Sequence, residues 1–144
     1  MSFEMFEKLP ELCSDHIWYK KNGNPAFWHI LFHVLSGVRY WMRLTPGELQ
    51  QEFPGKKLYP DFEQEPEDVL SKAEIHRYMK TIKIACDHYF STMTDALLLE
   101  ISVLSDSFTH LDIILLLTRH IQYHVGQCNT LLKENNLKTV GWIE

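Results

Sequence analysis

The stretch LLTRHIQYHVGQCNTLLKE (residues 116–134) places two imidazoles, His120 and His124, inside a helix-forming run whose apolar residues recur at core spacing. Residues four apart share one face of an α-helix. The pair therefore falls in line with Ile113, Leu117 and Leu131, positions expected to face the interior. Burying an imidazole without a partner costs on the order of 1–3 kcal/mol, so the pair needs a reason. It is a pair of core histidines satisfied by carbonyls or carboxylates, a solvated face, or two ligands of a shared ion. Spacing alone leaves all three open.

Working outward, "THLD" upstream supplies a helix start, with Thr109 as N-cap and Asp112 favourable in the first turn. Asn135 and Asn136 can end the helix. Further back, "SKAE" reads as a capping box, Ser71 with Glu74, and the run behind it carries Ile75, Tyr78, Met79, Ile82, Cys86, Tyr89 and Met93 on one stripe. Before that, "AFWHILFHVLSGVRYWMRL" (26–44) has helical spacing at Phe27, Ile30, Leu31, Val34, Val38 and Trp41, with Asn24 as expected N-cap and Pro25 at the first helical position. The first helix, about Ser2 to Leu12, is short and interrupted by Pro10. No segment alternates with period two. Three long helices and a short one predict an all-α, up-down four-helix bundle. Its long crossover is the Pro/Gly-rich segment 45–68, expected to cover one end and shape an opening. The tail "LKTVGWIE" is expected to be irregular, with Trp142 packing back on the bundle.

A chain of 144 residues is one domain's worth, expected to span 1–144. Net charge is −5, which argues against a nucleic-acid partner. Cys13, Cys86 and Cys128 are odd in number and widely spaced, as expected of free thiols in a reducing compartment. The acidic N-terminus does not read as a signal peptide. "AFWHILFHVLSG" and "LDIILLL" are shorter than a bilayer span of roughly 20 residues. A cytoplasmic protein that does not enter membranes is expected.

Eight histidines in 144 residues would give about 0.4 pairs at i, i+4 by chance. A second pair, His29 and His33, lies on the second helix, where His33 shares a side with Ile30, Gly37 and Trp41. Neutral imidazole is a good ligand for Zn²⁺, Ni²⁺ or Cu²⁺, so a divalent metal would give converging rings a common purpose. The metalloprotease helix H-E-x-x-H is excluded, because "HIQYH" has Ile121 where that chemistry needs its glutamate base. His16, His76, His88 and His110 read as ordinary histidines, Cys128 as a core thiol ahead of a group approaching an ion from the same helix, and Arg39 and Arg119 as a solvated face ahead of partners for ligand carboxylates. Gly126 costs about 1 kcal/mol in a helix, which close helix approach would justify.

Together, "LFHVLSGVRYW" and "RHIQYHVGQ" on two helices flanking a third resemble the DinB-like (YfiT-type) superfamily of small helical bundles. The resemblance runs from about Cys13 to Trp142, and the run His120, His124, Gly126, Gln127 is its most specific part. It implies that His33, His120 and His124 bind one divalent ion, Zn or Ni; beside them Gln127 and His29 are candidates for supporting residues, a helix-surface amide being the other reading of Gln127. His33 takes the second-helix place because the apolar "VLSGVRYW" follows it. The first helix is shorter than the superfamily's usual one, which leaves part of a groove open or leaves it to a partner chain; the resemblance also implies a homodimer. Three neutral ligands leave open coordination positions, the mark of a working site. The resemblance implies a metal-dependent transferase in which the ion activates a low-molecular-weight thiol cosubstrate for attack on a small electrophile. The other reading is a metal-binding or stress-response bundle without enzyme activity.

Overall fold

The computed structural model describes residues 2–21 and 23–141. The described residues form seven helices in order: α1 (Ser2–Glu7), α2 (Leu9–Leu12), α3 (Asp15–Trp18), α4 (Phe27–Trp41), α5 (Lys72–Thr92), α6 (Asp95–Leu98) and α7 (His110–Glu134). Among the described residues there is no strand, only an isolated antiparallel bridge between Ile101 and Thr109. The architecture is an all-α bundle in which α4, α5 and α7 are the long members.

The expected first helix, Ser2 to Leu12, is broken into α1 and α2, and α3 follows it as a further short piece. Pro10 opens the new turn of α2 instead of continuing α1, as its missing N–H dictates. The three pieces still do a helix's packing: Phe6, Leu9, Ile17 and Trp18 are buried, and the Trp18 indole N–H donates to the Leu70 carbonyl at 2.8 Å. Helix α4 begins two residues later than Asn24 and Pro25 imply. Ala26 is buried and extended (ψ 150°), and its carbonyl accepts the first helical bonds, from the His29 and Ile30 N–H groups. Pro25 thus lies before the cap.

Both capping boxes form. Ser71 and Glu74 satisfy each other's backbone N–H at the start of α5, and Thr109 and Asp112 do the same for α7. Such caps contribute roughly 1 kcal/mol each. At the far end Asn136 turns left-handed (φ 58°), a conformation asparagine tolerates. Trp142 lies outside the described residues.

Helix α4 is the centre of the bundle, packed against both α5 and α7, while α1 packs on α7. Its core residues Phe27, Ile30, Leu31, Val34, Leu35 and Val38 are almost wholly buried. The crossover from α4 to α5 sends Phe53 and Leu70 into the core. Between those anchors it passes over the end of α4 that carries the histidines.

Candidate metal centre

His33 projects from α4 and His120 and His124 from α7, and the three rings meet. Ring centroids stand 5.0 Å apart for His33 and His120, 4.9 Å for His33 and His124, and 4.6 Å for His120 and His124. One nitrogen from each ring lies within 4.8 Å of the others. An ion about 2 Å from each nitrogen needs them about 3–4 Å apart, a small side-chain rotation away. The cluster holds no carboxylate or thiol.

The hydrogen bonds decide which nitrogens are free. A carbonyl can only accept, so His33 must donate from Nδ1 to Pro60 O, 2.8 Å away. His124 Nδ1 likewise donates to Gln127 Oε1 at 2.8 Å. Both rings are thereby held in the tautomer whose lone pair sits on Nε2. An acceptor behind each ring is the usual support of a metal-binding histidine. His120 has no hydrogen-bond partner among the described residues. Burial first, then the neighbouring His124 and His33, push its pKa down to about 4. Burial also lowers His124, against the opposing pull of its bond to Gln127. At neutral pH His120 and His124 are therefore uncharged imidazoles, and they share a half-buried pocket with His33. That donor set fits a borderline divalent cation.

The other expected residues separate around this cluster. His29 does not join it: its Nε2 donates to the Tyr59 carbonyl at 2.7 Å, and burial lowers its pKa. It meets the cluster by way of Phe62, whose ring stands 5.2 Å from His29, 4.4 Å from His33 and 6.0 Å from His124. Gln127 is the acceptor for His124. Gly126 is exposed, with nothing near the position a Cβ would take, so close helix approach does not account for it. The glycine that matters is Gly37, whose added Cβ would lie 3.7 Å from His120 Nε2. Cys128 is fully buried, and burial raises its thiol pKa. His16 and His88 are exposed, and His110 is buried against the Tyr89 hydroxyl at 2.7 Å.

A cavity of about 590 Å³ opens beside the cluster. His33 and Gly37 form one side of it, and Phe32, Tyr40, Phe53 and Leu58 supply apolar wall. Arg39, expected on a solvated face, lines this cavity and faces Glu52 at 3.6 Å, while Arg119 is exposed as expected. Sequence patterns did not point to Pro60, Phe62 or Glu52, because a crossover has no periodicity from which facing can be inferred. Gly37 carried a signal, lying one turn after His33 on the same side.

Helical order, the crossover and the three-histidine cluster define the class: an all-α bundle whose side chains fit a metal ion. The fold is similar over 99% of this chain and 91% of the other to the crystal structure of a DinB-like protein from Bacillus cereus ATCC 10987, with TM-score 0.69 and 16% sequence identity. That likeness shows the fold. No protein-family profile matches the sequence, and no match is found among curated proteins. Among the described residues no helix is long and apolar enough to cross a membrane.

Proposed function

We propose that His33, His120 and His124 hold one divalent cation, Zn or Ni, and that the protein is a metal-dependent transferase joining a low-molecular-weight thiol to a small electrophile. The observation carrying this reading is the pair of fixed tautomers: Pro60 and Gln127 occupy the Nδ1 positions of two rings and leave their Nε2 lone pairs beside His120. A divalent cation held by His33, His120 and His124 would keep its full +2 charge among neutral ligands and would favour the deprotonated form of a thiol near neutral pH. The thiol proton leaves to solvent, a sulfur–carbon bond forms, and the electrophile's leaving group departs with its electron pair. The chain's own part is placement. Phe62 shields one side of the cluster, Gly37 leaves room against His120, and the cavity beside His33 receives the organic part of the ligands.

Metal analysis of the purified protein tests the first half, with near-stoichiometric Zn or Ni expected in wild type and loss in His120→Ala. Conjugation of monochlorobimane by metal-loaded protein with a panel of small thiols tests the second. Metal without turnover on any thiol would leave a non-catalytic metal-binding bundle. A homodimer belongs to the same proposal, supported by the cleft of about 460 Å³ beside α1, walled by Phe3, Met42, Phe90 and Ile121. Sedimentation equilibrium tests it.

A further inference from the structure

The end of the cavity away from His33 is polar and unusually composed. Arg39 and Glu52 face each other at 3.6 Å with side chains only 22% and 24% exposed. That is longer than the roughly 2.7–2.9 Å of a strong charge-assisted bond. Both ions have left most of their water without closing a tight contact, which is a poor exchange for structural purposes alone. Beside them stands Tyr78, 2% exposed. Burial raises its pKa, with the neighbouring Ser36 hydroxyl and Arg39 charge acting in the other direction. The phenol therefore stays a neutral hydroxyl at neutral pH.

The charges on this wall discriminate between ligands. Setting the histidine aside, the lining holds one cation, Arg39, and two carboxylates, Glu52 and Asp61. A bare carboxylate or phosphate arriving at Arg39 would meet Glu52 at once and be repelled. A simple amine would be repelled by Arg39. A group carrying both signs on adjacent atoms matches both neighbours, inserting its carboxylate toward the Arg39 fork and its ammonium toward Glu52. Arg39 stands six residues beyond His33 on α4, a rise of about 9 Å. A ligand spanning the cavity would thus present one end to each site.

We propose that Arg39 and Glu52 form a recognition subsite for a zwitterionic α-amino-acid group, on a ligand whose other end reaches the histidine cluster. The orientation of that ligand rests on the metal centre proposed above; the subsite itself does not. Its role is specificity. The apolar wall between the two ends, with Phe32, Phe53 and Leu58, takes the linking atoms without selecting among them.

Calorimetric titration tests the pairing without any turnover. The probe is γ-glutamylcysteine, whose thiol and α-amino-acid group are separated by a reach comparable to that rise, together with its N-acetyl and α-amide derivatives. On Zn-loaded wild type, each derivative is expected to bind at least about tenfold more weakly than the parent. In Glu52→Gln the acetylation penalty should vanish, and in Arg39→Gln the amidation penalty should vanish, because each variant has already lost the partner concerned. Far-ultraviolet circular dichroism checks that both variants fold, and the derivatives probe wild type should either variant fail. If wild type takes up no metal, the metal reading falls and the same comparison is made with γ-glutamylalanine and its derivatives on metal-free protein, where the same pattern still supports the subsite. Equal affinity for parent and derivatives, or no binding of any probe at millimolar concentration, overturns it.

Discussion

Gln127→Leu separates a supported metal centre from three histidines that happen to meet. In the metal-free protein, Gln127 Oε1 accepts a neutral N–H bond from His124 Nδ1 at 2.8 Å, and losing it should cost about 1 kcal/mol. For a chain of this length that lowers the melting temperature by about 3–5 °C. With a cation on Nε2, the ring is polarised and the same N–H becomes a charge-assisted donor, worth about 1.5–3 kcal/mol. The difference between the two states, about 0.5–2 kcal/mol, appears as a two- to thirtyfold loss of metal affinity, overlapping the range known for such supporting residues. Competition with a chromophoric chelator for Zn or Ni measures it directly. Gln122→Leu, the same chemical change on an exposed position of α7, controls for altered helix surface. Gln127→Glu should retain or raise affinity, since a carboxylate accepts the bond more strongly. If Gln127→Leu binds metal within about twofold of wild type, the support role assigned to Gln127 is wrong.

Stability of the metal-free protein should fall as pH drops from about 6.5 to about 4. The unfolded chain takes up protons that folded His120 refuses until its depressed pKa of about 4. His29 and His124 are lowered in the same sense. For a half-buried ring the His120 share is on the order of 1–2 kcal/mol after allowing for solvent screening, and urea midpoints across this window should flatten in His120→Ala. Gly37→Ala should fold and gain up to about 1 kcal/mol of helix stability, because the methyl meets His120 Nε2 at an ordinary 3.7 Å. It should also weaken metal binding about tenfold or more by crowding that nitrogen, which paired melting and chelator titrations would register. Phe62→Ala should leave metal stoichiometry intact while speeding metal transfer to a chelator about tenfold, since it removes the ring lying 4.4 Å from His33; unchanged exchange would remove Phe62 from the site.

What the sequence made legible followed periodicity and caps. The two capping boxes, the stripe on α5 and the converging faces of α4 and α7 are local or periodic properties, and all appear in the structure. Spacing did not choose between His29 and His33; that choice came from the resemblance, and the structure puts His33 beside His120 and His124 and His29 on the crossover's Tyr59 carbonyl. The N-terminal region was less so. Pro10 announced an interruption, but the division into three short helices depends on where Phe6, Leu9 and Trp18 find core. The start of α4 was misplaced because the burial of Ala26 outweighed the capping preference of Asn24. Arg39 was misjudged for a related reason: its exposure depends on Glu52 and Phe53, which arrive from a segment with no repeat to orient it.

The crossover is fastened to α4 by two successive carbonyls, Tyr59 to His29 and Pro60 to His33. His33 faces the loop with one nitrogen and the cluster with the other. With the proposed ion in the cluster, ordering of the segment and occupancy of the centre would be thermodynamically reciprocal: whatever steadies residues 59–62 would tighten the grip on the ion, and the ion would steady those residues by the same factor. A histidine that would otherwise be one donor among three becomes the hinge pin between cargo and covering.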